Sequence, residues 1–167
     1  MALTIEQSAA LKAFIAADPT LSLIPQTADG AFDIAAQLNL PASPTFYVWR
    51  SSVQIADIMQ NGFDWTRVDN LTIGKARIWE FMTAAGTLNP ARPTVRAGFE
   101  ACFSVEAGDA TTRQAIYDHS TRPASRAEKL YATGTGSAPT DHGVGPATLV
   151  FEGHLIYQDV LAAWAQP

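Results

Sequence analysis

Residues 133–147 read Thr-Gly-Thr-Gly-Ser-Ala-Pro-Thr-Asp-His-Gly-Val-Gly-Pro-Ala, fifteen positions with four glycines and two prolines. Fixing a backbone costs roughly 1–2 kcal/mol per residue, and this stretch has few apolar side chains to offset that cost. It cannot found a core, so it divides the chain into a helical body over 1–132, a flexible segment over 133–147 and a C-terminal stretch over 148–167. Beyond it, Leu149, Phe151, Leu155 and Tyr157 alternate with Val150, Glu152, His154 and Ile156, with Gly153 interrupting the first set. Alternation of this kind predicts a strand over 148–160, with a return to a helical turn over Gln158–Trp164. With no second strand nearby in sequence, the strand is expected to act as a docking arm that pairs with a neighbouring subunit or a partner by strand addition. On this reading the body folds without it.

A chain of 167 residues, 47% hydrophobic and 16% charged, can bury its apolar surface in one core, so a single domain is expected. Cys102 is the only cysteine, which excludes an internal disulfide and favours a reducing compartment. The start Met-Ala-Leu-Thr-Ile-Glu lacks a basic flank, and no 18 apolar residues run together, so no membrane partner is expected. The net charge of −5 argues against ordinary nucleic-acid binding, which needs Lys and Arg to replace the counterions of phosphate. The charge is uneven: three basic and seven acidic residues over 1–70, eight and six over 71–132, none and three over 133–167. The acidic end of one subunit could therefore approach the basic middle of another, or the surface could simply be solvated.

Helix signals dominate the first 132 residues. Thr4 with Gln7 forms a capping box for a helix carrying Leu11, Phe14 and Ile15, which Asp18-Pro19 should end. A second helix is expected from Asp29 to Leu38. Phe46–Arg50 is aromatic and β-branched, compatible with a strand but read as the start of a helix, and Ser52 is expected to cap a segment through Met59 closed by Asn61-Gly62. From Asn70, Leu71, Ile78, Trp79 and Met82 form an apolar stripe, with Lys75, Arg77 and Glu80 facing away and Gly86 as the stop. Asn89-Pro90 and Pro93 open a helix with Val95, Phe99, Cys102 and Phe103. Asp109 caps another around Ile116, and Ser125 with Glu128 forms a second capping box before Leu130 and Tyr131. The fold class is mainly α: a helical bundle, a Gly-rich segment and a C-terminal strand or hairpin arm.

Chemistry leaves little trace. Gly134-Thr-Gly136 has neither the lysine of a phosphate loop nor the spacing of a dinucleotide fingerprint. His119, His142 and His154 lie far apart without helical partners. Cys102, among Phe99, Ala101 and Phe103, reads as a buried small hydrophobe. Asp64, Asp69 and Glu80 could pair as carboxylates, but nothing sets their separation, and no serine has the nucleophile-elbow setting. No catalytic, cofactor-binding or metal residue is expected, and the chain does not read as an enzyme. Phe63–Leu71 is more distinctive: Arg67 lies between Asp64 and Asp69 and near Trp65, so Trp65, Arg67 and Asp69 form either a subunit contact or a structural corner. Leu149, Phe151, Leu155 and Tyr157 join them as candidate interface residues on the arm.

Several runs together resemble small proteins from the structural gene modules of tailed bacteriophages. These are Asn61-Gly-Phe-Asp-Trp-Thr-Arg-Val-Asp-Asn-Leu71, Gly74-Lys-Ala-Arg-Ile-Trp79, Arg96-Ala-Gly-Phe-Glu-Ala-Cys102, Ala132-Thr-Gly-Thr-Gly136, Phe151-Glu-Gly and Tyr157-Gln-Asp-Val160. The likeness spans roughly residues 45–162 and implies a virion component. In such modules a mostly helical protein of this size is similar to the head-to-tail adaptors. That resemblance implies a ring of about a dozen copies at the head–tail junction, assembled in the host cytoplasm. Its partners would be itself, the portal protein and the next neck or tail protein, and an acidic channel would let DNA pass without sequence-specific binding. A capsid decoration or cement protein, a tail-completion protein and, from another class, a small enzyme are the alternatives.

Overall fold

The computed structural model describes residues 3–60, 62–104 and 108–167. It is mainly α, and its contacts divide it into two discontinuous units. One is built from residues 1–46, 123–133 and 149–167, the other from residues 47–122 and 134–148.

The first unit holds α1 (Ile5–Ala17), a 3-10 turn (Leu21–Leu23) and α2 (Ala28–Leu38), with α8 (Arg126–Tyr131) and α9 (Tyr157–Trp164) from later in the chain. α1 begins as its capping box dictates: Thr4 Oγ1 accepts from the Gln7 backbone N–H at 3.2 Å, and Gln7 Oε1 accepts from the Thr4 N–H at 2.9 Å. It stops at Asp18, whose carboxylate accepts from the N–H groups of Thr20 and Leu21 and pairs with Arg126 at 2.7 Å. The Ser125–Glu128 box opens α8 in the same manner. Leu11, Ile15, Leu21, Ile34 and Leu38 fill the core, and α9 packs against both α1 and α2.

The expected docking strand over 148–160 does not form. Only Thr148–Leu149 is extended (β6), and it pairs with Ala132–Thr133 (β5); from Tyr157 the chain is helical. Phe151 and Leu155 are buried in the first unit's core beside Tyr131, while Leu149 and Tyr157 are half-buried. Two side chains hold this segment through its backbone. The Asn39 amide donates to the Leu155 carbonyl at 2.8 Å and accepts from the Leu155 N–H at 2.9 Å, much as a paired strand would. Buried Glu128 accepts from the Gly153 N–H at 3.2 Å, and Lys12 donates to the Gln166 carbonyl. Burial of Val160 and Ala163 completes the attachment. The segment is part of the core because its apolar side chains have their partners within the same chain.

The second unit holds β1 (Tyr47–Trp49), β2 (Val53–Gln54), α3 (Ile55–Ile58), α4 (Trp65–Asp69), α5 (Ile73–Thr83), β3 (Thr87–Leu88), α6 (Pro93–Cys102) and α7 (Ala110–His119), with β4 spanning Thr121–Pro123. Two further readings are corrected. Tyr47–Trp49 is a strand, with Val48 and Trp49 buried and β4 beside it. Ser52 leads into β2, which pairs antiparallel with β3, and the helix after it is one turn, Ile55–Ile58. The segment 134–147 lacks helix and strand, but its backbone is hydrogen-bonded. Gly136 accepts from Tyr47, Gly145 from Ser137 and Val144 from Thr140, and Ala147 exchanges bonds with Tyr47 and Trp49.

Deleting residues 147–167 is expected to abolish the cooperative melt of the first unit, because it removes Phe151, Leu155, Val160 and Ala163 from its core. Leu155→Ala alone is expected to cost about 2–5 kcal/mol. Circular dichroism melts check both, and a truncated chain that keeps full helicity would refute them. Acid stability carries a second signature. The N–H groups of Leu21 and Thr20, and then Arg126, hold the Asp18 carboxyl below its ordinary 3.8. A depressed folded pKa contributes stability that is present above the unfolded value and lost as pH falls through the folded one. The stability gap between wild type and Asp18→Asn should therefore narrow below pH 3.8. Denaturant titrations on either side of that pH measure it.

Candidate assembly interface

The rotation of α5 is set by one residue. Trp79 is buried against Phe63, with ring centroids 5.7 Å apart and planes at 17°, and meets Phe103 edge-on at 5.2 Å. Phe63 also touches Phe103, at 6.0 Å. With Trp79 inward, the helical period turns Ile73, Arg77 and Phe81, at i, i+4 and i+8, to the opposite face. Burial agrees: Phe81 is 82% exposed, Ile73 76% and Ile78 41%. The expected stripe of Leu71, Ile78, Trp79 and Met82 is thus only partly buried, since Ile78 faces outward and Leu71 and Met82 are half-buried. Phe81 is a residue that sequence reasoning missed. Its signal was available, because two positions from Trp79 is about 200° around the helix and one stripe cannot hold both.

α4 brings a second exposed aromatic to this unit. Trp65 is 56% exposed and rests edge-on against Phe63 at 5.2 Å, so its ring stands on the same buried stack that anchors Trp79. Asp64 caps α4 through the Thr66 N–H at 2.9 Å and lies 3.6 Å from Arg67. Arg67 also approaches Asp109, at 3.6 Å, and its guanidinium lies against Gly108. That pairing employs Asp109 next to α7, and Asp109 makes no side-chain cap there. Asp69 is exposed at the end of α4. Of the expected interface residues, Trp65 and Asp69 are free to meet another surface, Arg67 ties the corner together, and Phe151 and Leu155 belong to the first unit's core.

The cysteine reading fits the structure. Cys102 is buried, its Sγ lies 3.6 Å from the Lys75 carbonyl, and burial pushes its thiol pKa up against the weaker pull of the Lys75 charge. Among the described residues no group of three His, Cys, Asp or Glu side chains could hold a metal ion.

α7 presents an unusual inner face. Asp109, Arg113, Tyr117 and Ser120 follow one another at helical spacing and all are buried. The Arg113 guanidinium donates to the Phe103 carbonyl at 3.3 Å and to Asp141 at 3.2 Å; among the described residues its Nε, the Tyr117 hydroxyl and the Ser120 Oγ have no hydrogen-bond partner. Burial, then the nearby Glu100 charge, pushes the Tyr117 phenol well above its ordinary range. The loop 134–147 is held to this face. Asp141 supplies the counter-charge, Gln114 donates to the Pro139 carbonyl at 3.1 Å, and Gly143 lies close against the Tyr117 ring. Gly143 has φ +65°, and a Cβ there would come within 2.8 Å of that ring, so the close approach requires glycine. A shallow depression of about 440 Å³ beside it is lined by Thr111, Gln114, Asp118 and Asp141. Its polar groups are already engaged, Gln114 with Asp118 at 2.7 Å and Asp141 with Arg113.

Asp141→Asn is expected to cost about 1–3 kcal/mol, less than a fully buried pair because the Asp141 side chain is 31% exposed. The same change should speed hydrogen exchange over 134–147. Arg113→Met added to it should cost less than the two single changes summed, since the uncompensated buried cation is removed. Additive losses in a denaturation cycle would contradict the pairing.

Comparison of the chain with protein-family models, with curated proteins and with solved structures yields no match.

Proposed function

We propose that this chain is a structural subunit of a bacteriophage virion that works as a homo-oligomer, and within that class a head-to-tail adaptor. The observation that carries the reading is the outward line Ile73–Arg77–Phe81 on α5, with Ile78 beside it and Trp65 on the same buried aromatic stack. Covering one such apolar side chain is worth about 1.5–3 kcal/mol. Trp and Arg are also the residue types that dominate contact energetics. A helix face of this kind, fixed by a rigid core behind it, is suited to mechanical assembly.

The resemblance over roughly residues 45–162 supports the narrower role: a ring between the portal and the next neck or tail protein, extending the DNA channel. The negative net charge is compatible with DNA sliding past rather than binding. Docking on the portal would not use the segment 148–160, which the first unit's own core occupies.

Phe81→Asp is expected to leave the monomer folded, because the side chain makes little contact within its own chain, and to weaken assembly by at least about tenfold. Sedimentation velocity with a thermal melt separates the two effects. Labelling the protein in intact particles tests the narrower role: about a dozen copies at one vertex suits an adaptor, whereas a signal over the whole capsid would point to decoration.

A further inference from the structure

We infer that the α5 face is covered by the first unit of a second copy of this chain, in a head-to-tail contact. The inference rests on the assembly reading above and names its partner. The first unit carries an exposed patch of matching kind and opposite charge. Phe32 on α2 stacks on Tyr157 of α9, with centroids 4.1 Å apart and planes at 21°, yet remains 54% exposed. Leu161, one turn beyond Tyr157, is exposed beside it.

Two aspartates frame this aromatic pair. Asp29 and Asp33 stand at i and i+4 on the exposed side of α2, with Phe32 between them in sequence. Like charges at that spacing repel, and among the described residues neither aspartate has an ion-pair partner. Arg77 is in the complementary position. It lies between Ile73 and Phe81, is exposed, and likewise has no ion-pair partner among the described residues. Lys75 adds a second positive charge to α5 and Glu80 a negative one, leaving the helix net positive. The first unit has three basic and seven acidic residues, and the second eight and nine. The acidic partner for Arg77 is therefore concentrated on the first unit.

This complementarity selects among occupants. Two α5 faces meeting about a two-fold axis would set Arg77 against its own copy. The Asp29–Phe32–Asp33 patch instead offers apolar cover for Phe81 and two carboxylates for one guanidinium, a charge-assisted and geometrically specific pairing. Joining different patches of two identical chains is a heterologous contact. Repeated, it generates a closed ring if the rotation closes, and a filament otherwise.

Charge reversal in the full chain tests the pairing. Arg77→Asp alone and Asp33→Arg alone should each weaken self-association by at least about tenfold in sedimentation velocity, and the chain carrying both changes should recover it. All these positions are exposed, so each variant should keep the wild-type melt. A crosslinking measurement guards against variants that misfold: under a mild two-electron oxidant, mixing Arg77→Cys chains with Asp33→Cys chains should give a disulfide between the two species and little within either alone. Should Phe81→Asp abolish association while both charge reversals leave it intact, the α5 face is an interface with a different partner surface, and this inference falls while the assembly reading stands. Wild-type chain that stays monomeric at every concentration, with no mixed disulfide, overturns both.

Discussion

The stack of Phe63 on Trp79, closed by Phe103, is the constraint on which the outer surface of the second unit depends. α5 carries large apolar residues on opposite sides, so its amphipathicity alone does not say which side turns inward. Trp79 decides it, because an indole between two phenyl rings buries more apolar area than any alternative residue of the helix could. Once that ring is placed, the directions of Ile73, Arg77 and Phe81 follow from the helical period. The same Phe63 supports Trp65, so one aromatic cluster positions both exposed elements of the proposed interface. A contact surface backed by such packing loses little conformational freedom on binding, which lowers the entropic cost of association.

The polar interior of the same unit works on a different principle. Arg113 is buried on a helix, and its counter-charge, Asp141, comes from a loop with no regular secondary structure. Apolar packing alone would hold that loop weakly. The charge pair and the close approach of Gly143 to Tyr117 therefore favour one arrangement over others. The glycines that made the segment look unstructured in sequence are, at position 143, what lets the backbone approach the ring.

Much of the fold was legible where the signal was local. Both capping boxes, the stop at Asp18-Pro19 and the proline opening of α6 appear where the sequence places them, because each depends on residues within one turn. The misses share another cause. The sequence of β1 suggests a helix start because its pairing partners, Gly136, Ala147 and β4, lie far along the chain. The C-terminal stretch suggests an arm because alternation across Gly153 resembles a strand. The groups that hold it, Asn39 and Glu128, are 116 residues from Leu155 and 25 from Gly153. At the candidate interface, Trp65 was visible as an exposed aromatic candidate, whereas Phe81 was hidden by assigning one apolar stripe to a helix that has two.

The first unit is stitched from three separate stretches of chain, residues 1–46, 123–133 and 149–167. During synthesis, α1 and α2 leave the ribosome more than a hundred residues before α9, the helix that covers them. Until then their apolar faces have no final partner, and the loops to be closed are long, which slows folding. The patch formed by Phe32 and Tyr157 does not exist until α9 has been made. Synthesis order therefore sets assembly order: a chain interrupted before α9 lacks half of that surface, and the complementary patch appears only once α2 and α9 have met.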